Sequence, residues 1–169
     1  MWILFGVGIL IFVVTAMGRQ GTSKVSTAPY PGYKLPSFSL QSSVAGKSIV
    51  SSQFAGKPVF INFWASWCPP CQAETPDLVQ AYKQFGQQIQ FVGINATAQD
   101  TQSNAESFIQ HYNIPYPVLF DTTNQVVNEF NVNGFPTSIF VNKEGVIVAR
   151  VDGAITPEVL RSDLRKIAQ

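Results

Sequence analysis

Histidine occurs once in this sequence of 169 residues, at His111, and cysteine only twice, at Cys68 and Cys71. Three such ligands, with the histidine about forty residues from the cysteines, fall short of the four that a structural zinc site uses. Charge is also scarce: Asp, Glu, Lys and Arg together make up 12% of the chain, and the net charge is +1. There is no basic run, so nothing marks a nucleic-acid partner. Internal repeats and low-complexity tracts are missing, which excludes a solenoid. What remains is a length suited to one ordinary domain with a sizeable core.

The chain opens on a stretch, residues 2–17, that is apolar apart from Thr15. It is at the short end for a membrane span, which takes roughly 20 residues. The small residues around Val14-Thr15-Ala16 would also suit signal cleavage, giving a secreted protein if residues 1–16 are removed. Residues 1–18 are therefore expected as an anchor or signal segment. No Lys or Arg precedes the stretch, while Arg19 and Lys24 follow it. That bias opposes an outward-facing domain, but long domains translocate largely regardless of two charges. Residues 19–35 are rich in Gly, Ser, Thr and Pro and read as a flexible linker, leaving 36–169 as the folded domain.

The domain is organised around Val59-Phe-Ile-Asn-Phe-Trp64, an apolar run of β-branched and aromatic residues. It predicts a strand buried on both faces. Ala65-Ser66-Trp67 leaves room only for a tight turn, after which come Cys68-Pro69-Pro70-Cys71. Proline is tolerated in the first helical turn, where its missing N–H has no intrahelical partner. The spacing thus predicts Cys68 at a helix N-cap and Cys71 one turn in, close enough to bond. A thiolate at that position feels the positive end of the helix dipole and attacks disulfides near neutral pH. As a structural staple the pair would be poor, since a two-residue loop yields little loop-closure stabilisation. Cys68 is expected to be exposed and Cys71 shielded.

Around this centre the pattern predicts short strands at 37–40 and 48–50 about a turn at 45–47. The helix continues to Phe85 with a kink at Pro76. A second buried strand follows at 89–95, then a polar loop at 97–101 and a helix over 103–112 with Phe108, Ile109 and Tyr112 as its apolar side. His111, on that helix, is assigned no role. A strand at 118–120 and a helix at 124–130 precede Asn133-Gly134-Phe135-Pro136-Thr137 and a strand to Val141. A turn at 142–145 returns the chain as an antiparallel strand over 146–151. Thr156-Pro157 caps a final helix with Val159, Leu160, Leu164 and Ile167 on one face. This alternation gives a mixed sheet with helices on both faces.

The stretch Phe63-Trp-Ala-Ser-Trp-Cys-Pro-Pro-Cys71 resembles the active site of thioredoxin-like proteins. The longer pattern W-C-x-P-C-x-x-E-x-P, Trp67 to Pro76, resembles the ResA/TlpA branch of the AhpC/TSA redoxin superfamily, which are membrane-tethered, extracytoplasmic thiol-disulfide oxidoreductases. The resemblance covers about residue 35 to the C-terminus. It implies a thioredoxin-like fold with an N-terminal β-hairpin and an N-terminal anchor helix. It implies a cis peptide before Pro136, with the Phe135 backbone free to pair with an extended substrate and Trp67, Phe135 and Pro136 facing it. It gives Glu74, on the helix face of Cys71, the task of taking and returning the Cys71 proton. Asn62 stands where thioredoxins carry a buried aspartate and cannot act as that base.

The expected activity is reduction of protein disulfides through a Cys68–Cys71 dithiol, without cofactor or metal, in a monomeric enzyme. Pro69 and Pro70 remove two donors that would stabilise the Cys68 thiolate, which favours the reducing direction. The resemblance puts apocytochrome c haem-site disulfides first among substrates, with other envelope or spore proteins as alternatives and a membrane electron donor to recharge the dithiol. Three other functions remain open. A disulfide-forming oxidant needs a strongly depressed Cys68 pKa. A redoxin-type thiol peroxidase carries a threonine where Ala65 stands. A non-enzymatic partner-binding module would survive loss of both cysteines.

Overall fold

The computed structural model of the protein describes residues 25–44 and 46–169. The expected anchor, the first part of the expected linker and Ala45 of the expected turn lie outside the described residues. No helix among the described residues is long and apolar enough to cross a membrane.

Strand β3 (Val59–Trp64) is buried at all six positions. It pairs in parallel with β4 (Gln90–Asn95) and antiparallel with β6 (Thr137–Val141). Its residues alternate between two cores, as strand geometry requires. Val59, Ile61 and Phe63 face Val126 and Val127 of helix α3 (Gln125–Glu129), together with Phe130. On the other face, Phe60 meets Leu78 and Ala81 of α1 (Pro69–Phe85) and Leu160, Leu164 and Ile167 of α4 (Pro157–Ile167). Phe60 packs its ring 5.1 Å from both Phe91 and Phe140. Trp64, on the same face, stacks at 4.5 Å on Phe108 of α2 (Gln102–His111). Asn62 is the single polar residue in this strand, and it faces α1.

The hairpin of β1 (Ser39–Ser42) and β2 (Ser48–Val50) joins the sheet through β5 (Val118–Phe120), and β7 (Ile147–Asp152) closes the other edge. The order is β2-β1-β5-β4-β3-β6-β7, a mixed sheet with helices on both faces in a thioredoxin-like arrangement. β1 lies two residues later than its sequence pattern suggested, because its partner β5 fixes the register at Gln41 and Ser42. Helix α1 is continuous through Pro76, and the Thr75 hydroxyl donates to the Cys71 carbonyl at 2.7 Å.

Two expectations need correction. Val159 is exposed, and Asp163 occupies the buried face of α4 beside Leu160, Leu164 and Ile167. The buried set 160, 163, 164 and 167 follows the i, i+3, i+4, i+7 rule, which leaves Val159 one step off the face. The described part of the expected linker is fastened to the domain. Gly32 N–H donates to the Ile147 carbonyl at 2.8 Å, Ile147 N–H to Tyr33, and Leu35 N–H to Gly145. The Lys34 ammonium donates to the Glu144 carbonyl. The free edge of β7 takes up backbone groups of this strap, which a composition rich in Gly and Pro does not reveal.

Candidate active site

The end of β3 carries Ala65-Ser66-Trp67 into the N-terminus of α1. Cys68 is the N-cap, with φ −82° and ψ 109°, and Pro69 and Pro70 fill the first helical positions. Neither proline has an N–H, so the first amide the helix offers is that of Cys71, which donates to Cys68 Sγ at 3.3 Å. Cys68 and Cys71 are joined as a disulfide, with Cα atoms 5.3 Å apart.

Cys68 is not exposed as expected: both cysteines are buried, at 3% and 1% exposure. Cys68 belongs to a buried cluster with Trp64 and Ala65, against which Phe135 packs. The difference between the two lies in what they face. Cys68 lines a groove of about 360 Å³ together with Trp67, Pro69, Pro70, Val132, Gly134 and Phe135, whereas Cys71 lies outside its lining. A larger concavity of about 580 Å³, between the hairpin and α3, contains no cysteine.

Trp67 forms one wall of the groove, half-exposed, with its indole N–H held by the Gln99 carbonyl at 2.9 Å. Its ring meets the Phe135 ring edge-on at 6.1 Å. The Phe135–Pro136 peptide is cis, and Pro136 is buried. Among the described residues none hydrogen-bonds the Phe135 N–H or carbonyl. The sequence-predicted residues Trp67, Cys68 and Phe135 thus line one groove, with Pro136 behind it.

Glu74 lies one turn below Cys71, buried at 5% exposure. Asn62 Nδ2 donates to Glu74 Oε1 at 2.9 Å, and the Ile155 N–H donates to Oε2 at 3.0 Å. Asn62 is itself shared with the Ser138 hydroxyl oxygen at 3.2 Å. Burial pushes the Glu74 pKa from 4.5 up to about 7, against the two hydrogen bonds and with a small push from Asp77. The carboxyl is therefore poised to hold or release a proton near neutral pH. Tyr116 is raised above its ordinary value, by burial first and then by the Glu74 charge.

Sequence reading missed Asp100, which pins the turn ahead of Cys68. Its carboxylate accepts from Ser66 N–H and the Ser66 hydroxyl, both at 2.7 Å, from Thr101 N–H at 2.8 Å and from Asn95 Nδ2 at 3.0 Å. Burial works to raise its pKa, but these hydrogen bonds outweigh it and hold the carboxyl below its usual range. The signal available was an acidic residue ending a polar loop straight after a buried strand.

Comparison with known proteins places these features in a group. Residues 31–150 match the AhpC/TSA family. Over 168 residues the chain is 32% identical to the thiol-disulfide oxidoreductase ResA of Bacillus subtilis (strain 168), covering 95% of this chain and 90% of that protein. Among solved structures, a thiol:disulfide interchange protein of the thioredoxin family from Chlorobium tepidum TLS superposes with a TM-score of 0.72 at 29% identity, covering 83% of this chain and 98% of that one. The pneumococcal exposed lipoprotein thioredoxin Etrx1 from Streptococcus pneumoniae strain TIGR4 gives 0.68 at 26%, covering 78% and 99%.

The Glu74 environment predicts a pH dependence of stability. In the unfolded chain this carboxyl ionises near 4.5; in the fold it keeps its proton to about 7. Between those values the folded state holds a proton that the unfolded state has released. Stability from this group is therefore complete below 4.5, falls as pH rises and levels off above 7, by about 3 kcal/mol in all. Urea unfolding of the oxidised protein at pH 5 and pH 8 should lose a difference of that order in Glu74→Gln. An unchanged pH dependence would mean that the carboxyl is not held neutral.

Proposed function

Because the chain belongs to the AhpC/TSA family and is a thiol-disulfide oxidoreductase of the ResA kind, we propose that it reduces disulfides of protein substrates outside the cytoplasm. The reading rests on one arrangement: a cysteine at the floor of an open groove, its partner one helical turn in, and a neutral-poised carboxyl sealed beneath.

The reaction starts from the dithiol. A substrate segment lies in the groove beside Trp67 and pairs with the free backbone of Phe135, which Pro136 backs from behind. The Cys68 thiolate attacks one substrate sulfur, forming a mixed disulfide, and the other substrate sulfur leaves as thiolate. Cys71 then passes its proton to the Glu74 carboxylate and attacks the Cys68 sulfur. The Cys68–Cys71 bond forms, the mixed disulfide breaks and the second substrate thiolate leaves. Two electrons have moved from the enzyme to the substrate. When the enzyme is recharged by a membrane electron donor, Glu74 returns the proton to Cys71.

The reducing direction is supported by the helix start. With prolines at its first two positions, among the described residues only the Cys71 amide reaches the Cys68 sulfur. A thiolate with one such donor is less stabilised than one facing several, so the dithiol gives up its electrons more readily.

Residues 1–18 tether the monomeric domain to the membrane, with the domain facing outward. The name of the pneumococcal relative, an exposed lipoprotein, supports a surface location. The substrate class is the disulfide form of a Cys-x-x-Cys-His segment, the haem-attachment pattern of apocytochrome c.

Glu74→Gln keeps size and fold but removes the base. It should slow reduction of a disulfide-closed Cys-x-x-Cys-His peptide by about ten- to a thousandfold. A wild-type rate and an unchanged cysteine titration would leave Glu74 without a part in proton transfer. Protease added to wall-stripped, membrane-intact cells should degrade the domain. Its full protection, beside a protected cytoplasmic control, would put it on the other side of the membrane.

A further inference from the structure

Arg150 is a side chain that the chemistry above does not use, yet all five of its donors are engaged. Its side chain is 5% exposed. Nε donates to the Asp152 carboxylate at 3.0 Å, and Nη2 donates to Asp152 Oδ1 at 2.8 Å and to the Asn131 carbonyl at 3.0 Å. Nη1 donates to the Phe130 carbonyl at 2.7 Å and the Pro29 carbonyl at 3.0 Å. The guanidinium also lies 5.4 Å from the centre of the Tyr30 ring. Only a planar fork of this kind serves three carbonyls and a carboxylate at once; a lysine ammonium has three donors on one atom.

The carbonyls it holds are not scattered. Phe130 and Asn131 immediately precede Val132, where the groove wall begins. At the far end of that wall the Thr137 hydroxyl lies 3.2 Å from Asp152 Oδ1 and 3.0 Å from the Gly134 carbonyl, while Gly153 N–H holds the Pro136 carbonyl at 2.8 Å. The loop from 132 to 136 is thus fixed at both ends, directly by Arg150 before it and through Asp152 after it. Asp152 is held below the usual carboxylate range, chiefly by the Arg150 hydrogen bond, so the pair stays charged across neutral pH. The third leg of the fork is the strap at Pro29 and Tyr30.

We infer that Arg150 is a positioning residue for substrate binding: with Asp152 it clamps the 132–136 loop so that Phe135 presents its backbone to an extended peptide at a fixed distance from Cys68. The inference rests on the reading of this groove as the peptide site. Arg150 touches neither sulfur nor Glu74, so its effect falls on peptide binding and leaves thiol chemistry alone.

The test compares two substrates in the full-length chain. The first is the disulfide-closed Cys-x-x-Cys-His peptide, which must fill the groove. The second is dithiobis(nitrobenzoate), a small disulfide that needs only the sulfur. Arg150→Lys keeps the charge and loses the fork. It should raise KM for the peptide about tenfold with kcat little changed, and leave the rate with the small disulfide within about twofold. Asp152→Asn, at an exposed side chain, secures the test if the first variant does not fold, and should shift peptide KM in the same direction. Trp67→Ala separates the two claims. If it also raises peptide KM while folded Arg150→Lys and Asp152→Asn do not, the clamp is overturned and the groove reading stands. If Trp67→Ala leaves peptide KM unchanged, the groove reading fails and the clamp fails with it. Equal slowing of both substrates in Arg150→Lys would mark a general loss of structure and overturn the inference as well.

Discussion

Glu74 reaches from α1 to the central strand, where Asn62 donates to one carboxyl oxygen and the Ile155 backbone donates to the other. Three parts of the chain meet in those two bonds: β3, the first turns of α1 and the segment that leads into α4. A buried carboxyl without partners would cost several kcal/mol. With two donors the cost is limited, and what remains appears as a pKa of about 7. The same contact fixes how α1 lies on the sheet, and so where its N-terminus holds the two sulfurs. The carboxyl proposed as the proton acceptor is therefore also one of the ties that build the site.

Above that tie, the chemistry divides by depth. The groove meets Cys68 and excludes Cys71, so a substrate sulfur has one approach. The interior holds the Glu74 carboxyl, whose raised pKa suits the proton transfer proposed for it. The walls of the groove come from distant parts of the chain and are held by separate devices. Trp67 hangs on the Gln99 carbonyl, and the turn beneath it is pinned by Asp100. The opposing loop is bracketed by Arg150 and Asp152. Few charges occur in this protein, and these two carboxylates and one guanidinium all support the edges of the redox centre.

The local features were legible in the sequence. A six-residue run ending at Trp64, apolar but for Asn62, predicts a doubly buried strand, and two prolines after Cys68 predict a helix start; both depend on near neighbours in the chain. A mixed sheet with helices on both faces followed from the alternation of patterns, while the thioredoxin-like fold and Glu74 followed from the resemblance at Trp67–Pro76. Contacts across long sequence separations were not legible. Nothing in the neighbourhood of Arg150 indicates that its partners are Pro29, Phe130 and Asn131. The cluster that buries Cys68 is joined by Phe135, sixty-seven residues further along the chain. The strap over residues 25–35 looked like a linker because its composition is that of one; its order comes from the backbone groups of β7, which composition cannot report. Val159 was misplaced by a single position, a 100° error on a helix whose buried polar residue, Asp163, disguised the face.

The central claim is that the Cys68–Cys71 couple gives electrons to substrates. Its reduction potential, measured by equilibration of the full-length protein with defined dithiothreitol or glutathione buffers, tests this directly. A single amide donor at the Cys68 sulfur predicts a reducing couple, at about −250 mV or below, in the range of thioredoxin. A value near about −120 mV, that of a strong disulfide-forming oxidant, would contradict the account and reverse the direction assigned to the site.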